Sequence, residues 1–438
     1  MSPELLGTLM LVALIVAICI GFPIAFTLLV VVAVFGYLGL GTMVFDLMMF
    51  QMIGLAKEEV FAAVPLFIFM GYMTEQAGLM ERLFLAFRLL MAPVRGSLYL
   101  AVILTSTVFA MATGIVGAAV TVLGIMAGPT MIRAKYDIRL SAGVITAGGT
   151  LGILIPPSVM LLVMGPVMGV SVVKLYAAAF GPGFLLAALY ITYAMVMSYF
   201  WPELGPPLPP EERASSAAVV VREVVVGIVP LGFLISATLG SILAGLATPT
   251  EAAATGAFGA VLLALGYRKL SWARLRDAMV KTMETTSMIV LLALASNMFG
   301  AVFSRLGTAT VVTDWLLDMH PPSFAMLLIL NVIFFLLGWP FEWPTIVLVF
   351  LPILLPIVQA MQYDLVWFGI LIAVNLQTTF LSPPVAMAAY YLKAVVPEWE
   401  LRDIMWGMMA FMVLQVIGLL VVMLYPPIAL WLPNRLFP

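Results

Sequence analysis

The 438-residue chain is 64% hydrophobic and only 9% charged, with a mean hydropathy of +1.19. That composition excludes a soluble globular domain, in which about a quarter of residues are charged. A formal net charge of −2 argues for neither nucleic acid nor an anionic surface as partner. The one cysteine, Cys19, and the one histidine, His320, offer no disulfide framework and no transition-metal site.

Apolar runs of about 20 residues, enough to cross hydrocarbon as helix, recur near 5–20, 23–40, 98–127, 174–200, 225–246, 251–267, 286–303, 324–338, 345–361 and 406–425. They predict an all-α polytopic membrane protein of about ten spans, plus interrupted segments. The start, Met1-Ser2-Pro3-Glu4, lacks the basic region of a secretory signal, so the first run is expected to stay as a span. The most polar stretch, 201–224, is rich in Pro and Ser and holds Glu211, Glu212 and Arg213; it is expected to be a linker between two halves.

The halves resemble each other. Pro156-Pro157 and Pro383-Pro384 lie 227 positions apart, and the same spacing superposes Pro129 on Pro356, Tyr136-Asp137 on Tyr363-Asp364, Ile145 on Ile372 and Leu154 on Leu381. The loop at 131–139 holds Arg133, Lys135 and Arg139 where 358–366 holds no basic residue. Similarly, 268–281 is basic where 41–55 is not. Because cytoplasmic loops collect Lys and Arg, equivalent loops are expected on opposite sides of the membrane, which makes the repeat inverted. The basic segment 266–284 suits either an interfacial amphipathic helix or a cytoplasmic loop. Arg82, Arg88 and Arg95 suit helices lying along the interface.

Each half carries two broken elements. A proline lacks the helix N–H and clashes with the preceding turn, so a Pro-Pro pair halts one helix and starts the next. This predicts two re-entrant hairpins with the pairs at their tips, at about 140–170 and 366–395, with Asp137 and Asp364 capping their helices and Ser158 capping the start after the first tip. The second breaks are Thr113-Gly114-Ile115-Val116-Gly117 and 338–344, inside helices at about 98–130 and 324–361. Backbone freed at membrane depth persists where it lines a buried site, and duplicated breaks point to a secondary transporter's binding site. The expected organisation is a first repeat over 1–200, the linker, and a second repeat over 225–438. Glu251 begins a helix at Thr248-Pro249, where a carboxylate complements free N–H groups. Glu342 lies within a break and is the strongest acidic candidate for coupling or gating.

The motifs PLFIFMGYMTEQAGL (65–79), TGIVGAAVTVLGIMAGPTM (113–131), GGTLGILIPPSVMLLVMG (148–165), LATPTEAAATGAFGA (246–260), FLPILLPI (350–357) and NLQTTFLSPPVAMAAYYLK (375–393) resemble the large membrane subunit of tripartite ATP-independent periplasmic (TRAP) transporters, over essentially the whole length. The resemblance implies an elevator-type importer in the bacterial inner membrane, with a scaffold and a mobile transport domain holding both hairpins. It implies no enzymatic activity and no cofactor beyond Na⁺ as coupling ion. It also implies two partners: a periplasmic substrate-binding protein, and a small four-helix membrane subunit supplied by another chain. Sodium would be held mainly by backbone oxygens near the breaks and tips. Where many members carry a hydroxyl-rich S-G-S-S stretch, this chain has Thr113-Gly114-Ile115-Val116. Its motifs look like the branch associated with mannitol, chloroaromatic acids and 2-oxo acids, which favours a small organic acid over sialic acid.

On this footing the expected cargo contacts are Thr150, Ser158, Gln377, Thr378, Thr379 and Ser382. Expected sodium contacts are Thr113, Gly114, Gly148, Gly149, Pro156, Gly338, Glu342, Asn375 and Pro383. A stand-alone ion-coupled symporter or a Na⁺/H⁺ antiporter of related architecture is the alternative. No zinc-protease helix, nucleophile elbow or nucleotide-binding phosphate loop is present to support an enzyme or an ATP-driven permease.

Overall fold

The computed structural model describes residues 2–209, 213, 216–383 and 385–437. In the first half, α1 (Pro3–Ile20), α2 (Ile24–Leu40) and α3 (Met43–Ala56) lead into α4 (Ala63–Gln76) and α5 (Leu79–Met91). Gly78, at φ +70°, divides α5 from α4, and the helical stretches either side cross at 60°. Next come α6 (Ser97–Thr113), α7 (Val116–Arg133), the hairpin helices α8 (Ile138–Thr150) and α9 (Val159–Met168), and the long α10 (Val172–Phe200).

The second half comprises α11 (Ala217–Leu243), α12 (Pro249–Gly266), α13 (Trp272–Arg305), α14 (Thr308–Asp318) and α15 (Ser323–Leu337). After a break come α16 (Trp343–Thr345), a π-helical stretch over Ile346–Phe350 and α17 (Leu351–Ala360). The hairpin helices α18 (Leu365–Gln377) and α19 (Met387–Val395), then α20 (Leu401–Leu424) and α21 (Pro427–Leu436), complete the chain. Seven described helices are long and apolar enough to cross a membrane, or eight with the bent pair, so this is a multi-pass membrane protein.

Element bounds recur at the sequence spacing. Adding 227 to the bounds of α8 gives those of α18, and adding it to α7 gives the combined span of α16 to α17. Packing recurs too. As α8 lies on α20, α18 lies on α10; as α4 lies on α12, α13 lies on α2; as α5 lies on α11, α14 lies on α1. Each hairpin's first helix therefore packs against the long helix of the other half.

Local chemistry explains the helix starts. Asp137 accepts from the Leu140 amide at 2.7 Å and Asp364 from the Trp367 amide at 2.8 Å, capping α8 and α18 as expected. Thr248 and Glu251 form a reciprocal capping box at α12, so Glu251 plays its anticipated structural part.

Two readings of the polar segments change. The segment 266–284 is neither a loop nor a separate interfacial helix: beyond a short turn it is the first third of α13, 34 residues and about 51 Å long at ~1.5 Å per residue. Its polar face is held by α4, where Gln76 donates to Asp277 at 2.8 Å and Asp277 pairs with Lys281 at 3.0 Å. The linker ends at Ser216, since 217–224 is already helix. Its described part docks on the first half, where the amides of Gly96 and Asp137 donate to Gly205 and Leu204. Glu211 and Glu212 lie outside the described residues.

Candidate functional site

Each helix break meets the tip of its own hairpin. Thr113 ends α6, and Gly114 turns the chain at φ +62°, a left-handed conformation that glycine adopts without strain. A Cβ on Gly114 would lie 3.5 Å from the Val159 amide nitrogen and 3.7 Å from the Pro157 carbonyl oxygen, so the break faces the first tip. In the second half Pro340 and Pro344 interrupt the helix. A Cβ on Gly338 would run into the Thr379 methyl, which places that break against the second tip. The Thr113 side chain and Pro384 lie outside the described residues.

Between the two break-and-tip pairs lies a cavity of about 170 Å³. Four pairs of its wall residues stand 227 positions apart: Ile115 and Glu342, Val116 and Trp343, Gly117 and Pro344, Ile153 and Phe380. Helices α4 and α13 close it with Ile68, Thr285, Met288 and Ile289, while Val159, Met387 and Tyr391 complete the hairpin side. A second cavity of about 150 Å³ runs from Gly338 to Glu342 against Thr379, Phe380, Val385 and Met387. Glu342, Phe380 and Met387 belong to both.

The expected contacts divide on this geometry. Gly114 and Glu342 line the central cavity, and Gly338, Thr379 and Glu342 line the adjoining one. Gly148 and Gly149 are buried, and a Cβ on either would press into Ser106 or Val120 respectively, so they serve close packing of α8 on α6 and α7. Ser158 is fully buried and caps α9, its hydroxyl held between the Ile153 carbonyl and the Leu161 amide. The hydroxyls of Thr378 and Thr379 donate to carbonyls three residues back, at 2.7 and 2.8 Å. Ser382 Oγ lies 3.1 Å from Met412 Sδ. Pro156 is buried at the first tip, joined to Pro157 by a cis bond, and Pro383 is half-buried at the second.

Thr150 and Gln377 sit deeper, where the two hairpins meet, while the buried Asn375 side chain turns to α15. Thr150 Oγ1 lies 3.0 Å from Gln377 Oε1 and 2.8 Å from the Ala147 carbonyl, and accepts from Gln415 Nε2 at 3.1 Å. Asn375 donates to the Asn331 carbonyl at 2.7 Å, while its own Oδ1 is buried without a hydrogen-bond partner. Tyr72, whose hydroxyl meets that of Thr285 at 3.1 Å, lies between the cavity and the polar face of α13. Sequence reading missed Asn331, Gln415, Thr285 and Tyr391. The first two had a usable signal, since each is a lone amide inside an apolar run.

The comparisons follow this architecture. A structure of the Alcanivorax borkumensis YdaH transporter superposes at a TM-score of 0.63, covering 100% of both chains at 16% identity, which shows shared fold alone. The sialic acid TRAP transporter large permease protein SiaM of Vibrio cholerae is 29% identical over 94% of this chain and 95% of its own length. The isethionate TRAP transporter permease protein DctMQ of Oleidesulfovibrio alaskensis is 30% identical over 76% of this chain but 52% of its own length. The sequence profile of the tripartite ATP-independent periplasmic transporter DctM component matches residues 11–428, nearly the whole chain. The protein therefore belongs to that family, as a TRAP transporter large permease subunit.

Proposed function

We propose that this chain is the cargo-carrying subunit of an importer that draws a small organic acid into the cell across the inner membrane, driven by a sodium gradient. The observation that carries the reading is the central cavity, walled by equivalent residues of the two halves at their helix breaks and hairpin tips. A secondary transporter with inverted halves places its site at such a position, using interrupted helices. The basic segments at 131–139 and 268–281, the second mostly the start of α13, support inversion, with those ends cytoplasmic.

Sodium is a hard ion that takes oxygen ligands. The backbone at Thr113, Gly114 and Gly338 is the candidate ligand set, with the unpartnered Asn375 Oδ1, while the Glu342 carboxylate faces the central cavity as a gate for cargo. Gly148, Gly149, Pro156 and Pro383 bear on this set by shaping the hairpins. The cargo carboxylate meets amides of the helix starts at the tips, with Thr379 nearest the cavity and Thr150, Ser158, Gln377, Thr378 and Ser382 behind it. Loading lets the hairpin-bearing domain, α6–α10 with α15–α20, slide against a scaffold of α1–α5 and α11–α14 in an elevator movement.

A periplasmic binding protein delivers the acid, and a small four-helix subunit braces the scaffold. The likeness to a DctMQ permease roughly twice the matched length supports a second membrane component. Uptake into proteoliposomes holding both membrane subunits tests the reading. Accumulation that needs both the binding protein and an inward sodium gradient is the expected result. Equal accumulation without the binding protein would favour the stand-alone symporter, and sodium–proton exchange without cargo the antiporter.

A further inference from the structure

The central cavity lies where equivalent segments meet, so a difference within an equivalent pair gives the two ends of a bound molecule different surroundings. Only one pair differs in charge: Ile115 stands on one wall where Glu342 stands on the other. Glu342 is the single charged side chain of the lining, and no Lys or Arg reaches it. The ion pairs Arg139–Asp403 and Lys281–Asp277 lie elsewhere. Of the lining hydroxyls, that of Thr285 is already engaged with Tyr72 at 3.1 Å, which leaves Tyr391. The rest of the wall is largely aliphatic, thioether and aromatic, around a cavity of about 170 Å³.

We propose that the cargo is a small monocarboxylate with an apolar body, and that Glu342 is the specificity-determining residue that turns away a second carboxylate. The proposal rests on the transport reading above, in which the backbone amides at the hairpin tips meet one carboxylate. A second carboxylate has two places to go. Against Met288, Ile289 or Phe380 it loses its water with no cation in return, which is strongly unfavourable. Beside Glu342 it meets like charge. A polyhydroxylated acid fares little better, because most of its hydroxyls would be desolvated without a partner. A single ring or a short branched chain instead fills the volume and gains from the apolar wall.

The test is competition against labelled benzoate on the purified complex of this chain with its small membrane subunit, at fixed high sodium, using isovalerate, succinate and gluconate. Isovalerate is expected to compete at least about tenfold better than succinate or gluconate, and Glu342→Gln to narrow the succinate-to-isovalerate ratio to about threefold. Met387→Gln, which puts an amide into the apolar wall, should improve gluconate and leave succinate excluded. Ratios within one variant are compared, so a general loss of sodium or cargo affinity cancels. Succinate or gluconate competing as well as isovalerate on the unaltered protein, or an unchanged ratio in Glu342→Gln, overturns the proposal. So does absence of benzoate binding to a complex that still takes up cargo from its binding protein. Failure of the transport reading itself looks different: uptake by the same complex would then proceed without a sodium gradient.

Discussion

Thr150 and Gln377 hold the same place in the two hairpins, 227 residues apart in sequence, and their side chains meet at 3.0 Å. The Thr150 hydroxyl also accepts from Gln415 Nε2 at 3.1 Å, so one oxygen ties both hairpins to α20. The site is fully buried, where a lost partner cannot be replaced by bulk water. Thr150→Val keeps the shape and strands two amide side chains, at a cost of about 1–3 kcal/mol. Gln377→Leu should cost a similar amount, and the double variant less than the sum, with a coupling of about 0.5–3 kcal/mol. Unfolding of the purified protein in mixed micelles measures this; strict additivity would mean the contact contributes nothing.

Gly338 offers a prediction with a built-in rescue. Its φ of −65° is ordinary for alanine, so strain would come from the Thr379 methyl and from the Phe335 carbonyl oxygen 3.1 Å away. Gly338→Ala should lower uptake severalfold at unchanged membrane abundance. Adding Thr379→Ser removes the methyl and keeps the hydroxyl, and should restore most of the loss. A double variant no better than the single would place the damage at Phe335 instead.

At Gly114 the reverse holds: space is available, with the nearest atom 3.5 Å away, but φ is +62°. Alanine there costs about 1–2 kcal/mol of backbone strain, and valine more. If the break supplies sodium ligands, the sodium concentration for half-maximal uptake rises in the order Gly, Ala, Val. An unaltered sodium dependence would assign the glycine to helix geometry alone.

A surface ion pair should matter no more than a helix cap. Arg139 and Asp403 pair at 2.9 Å between α8 and α20 with side chains 59% and 28% exposed. Breaking that pair with Arg139→Gln should change stability by no more than about 1 kcal/mol. Asp137→Ala and Asp364→Ala each remove an N-cap, costing about 1 kcal/mol apiece, and should add.

The prolines and the Tyr-Asp pairs were enough to mark the ends of α8, α9, α18 and α19 to within a few residues, because helix punctuation is local chemistry. Local chemistry also misled. Arg274, Arg276 and Lys281 suited either a separate interfacial helix or a loop, yet α13 runs through them as one long helix, since α4 supplies a partner for Asp277 and a tyrosine face for Lys281. The equivalent stretch of the first half is broken between α3 and α4, and nothing in the repeat spacing foretold that difference. At the site, the breaks and Glu342 were legible as departures from apolar helix. The walls supplied by Thr285, Met288 and Tyr391 were not, because their role depends on which helices converge. Gln377 read as a cargo ligand because its burial against Thr150 is a property of two hairpins crossing.

The exchange of partners between the halves bears on biogenesis. From Leu140 to Thr150 every residue of α8 is buried, and the principal helix covering it is α20, made more than 250 residues later. The first hairpin therefore emerges from the ribosome without its cover and stays unfinished until translation is nearly done, exposed to chaperones and membrane proteases meanwhile. Each half thus lacks the long helix that covers its own hairpin's first helix. Two half-length polypeptides expressed together could complement each other, while either alone would be degraded.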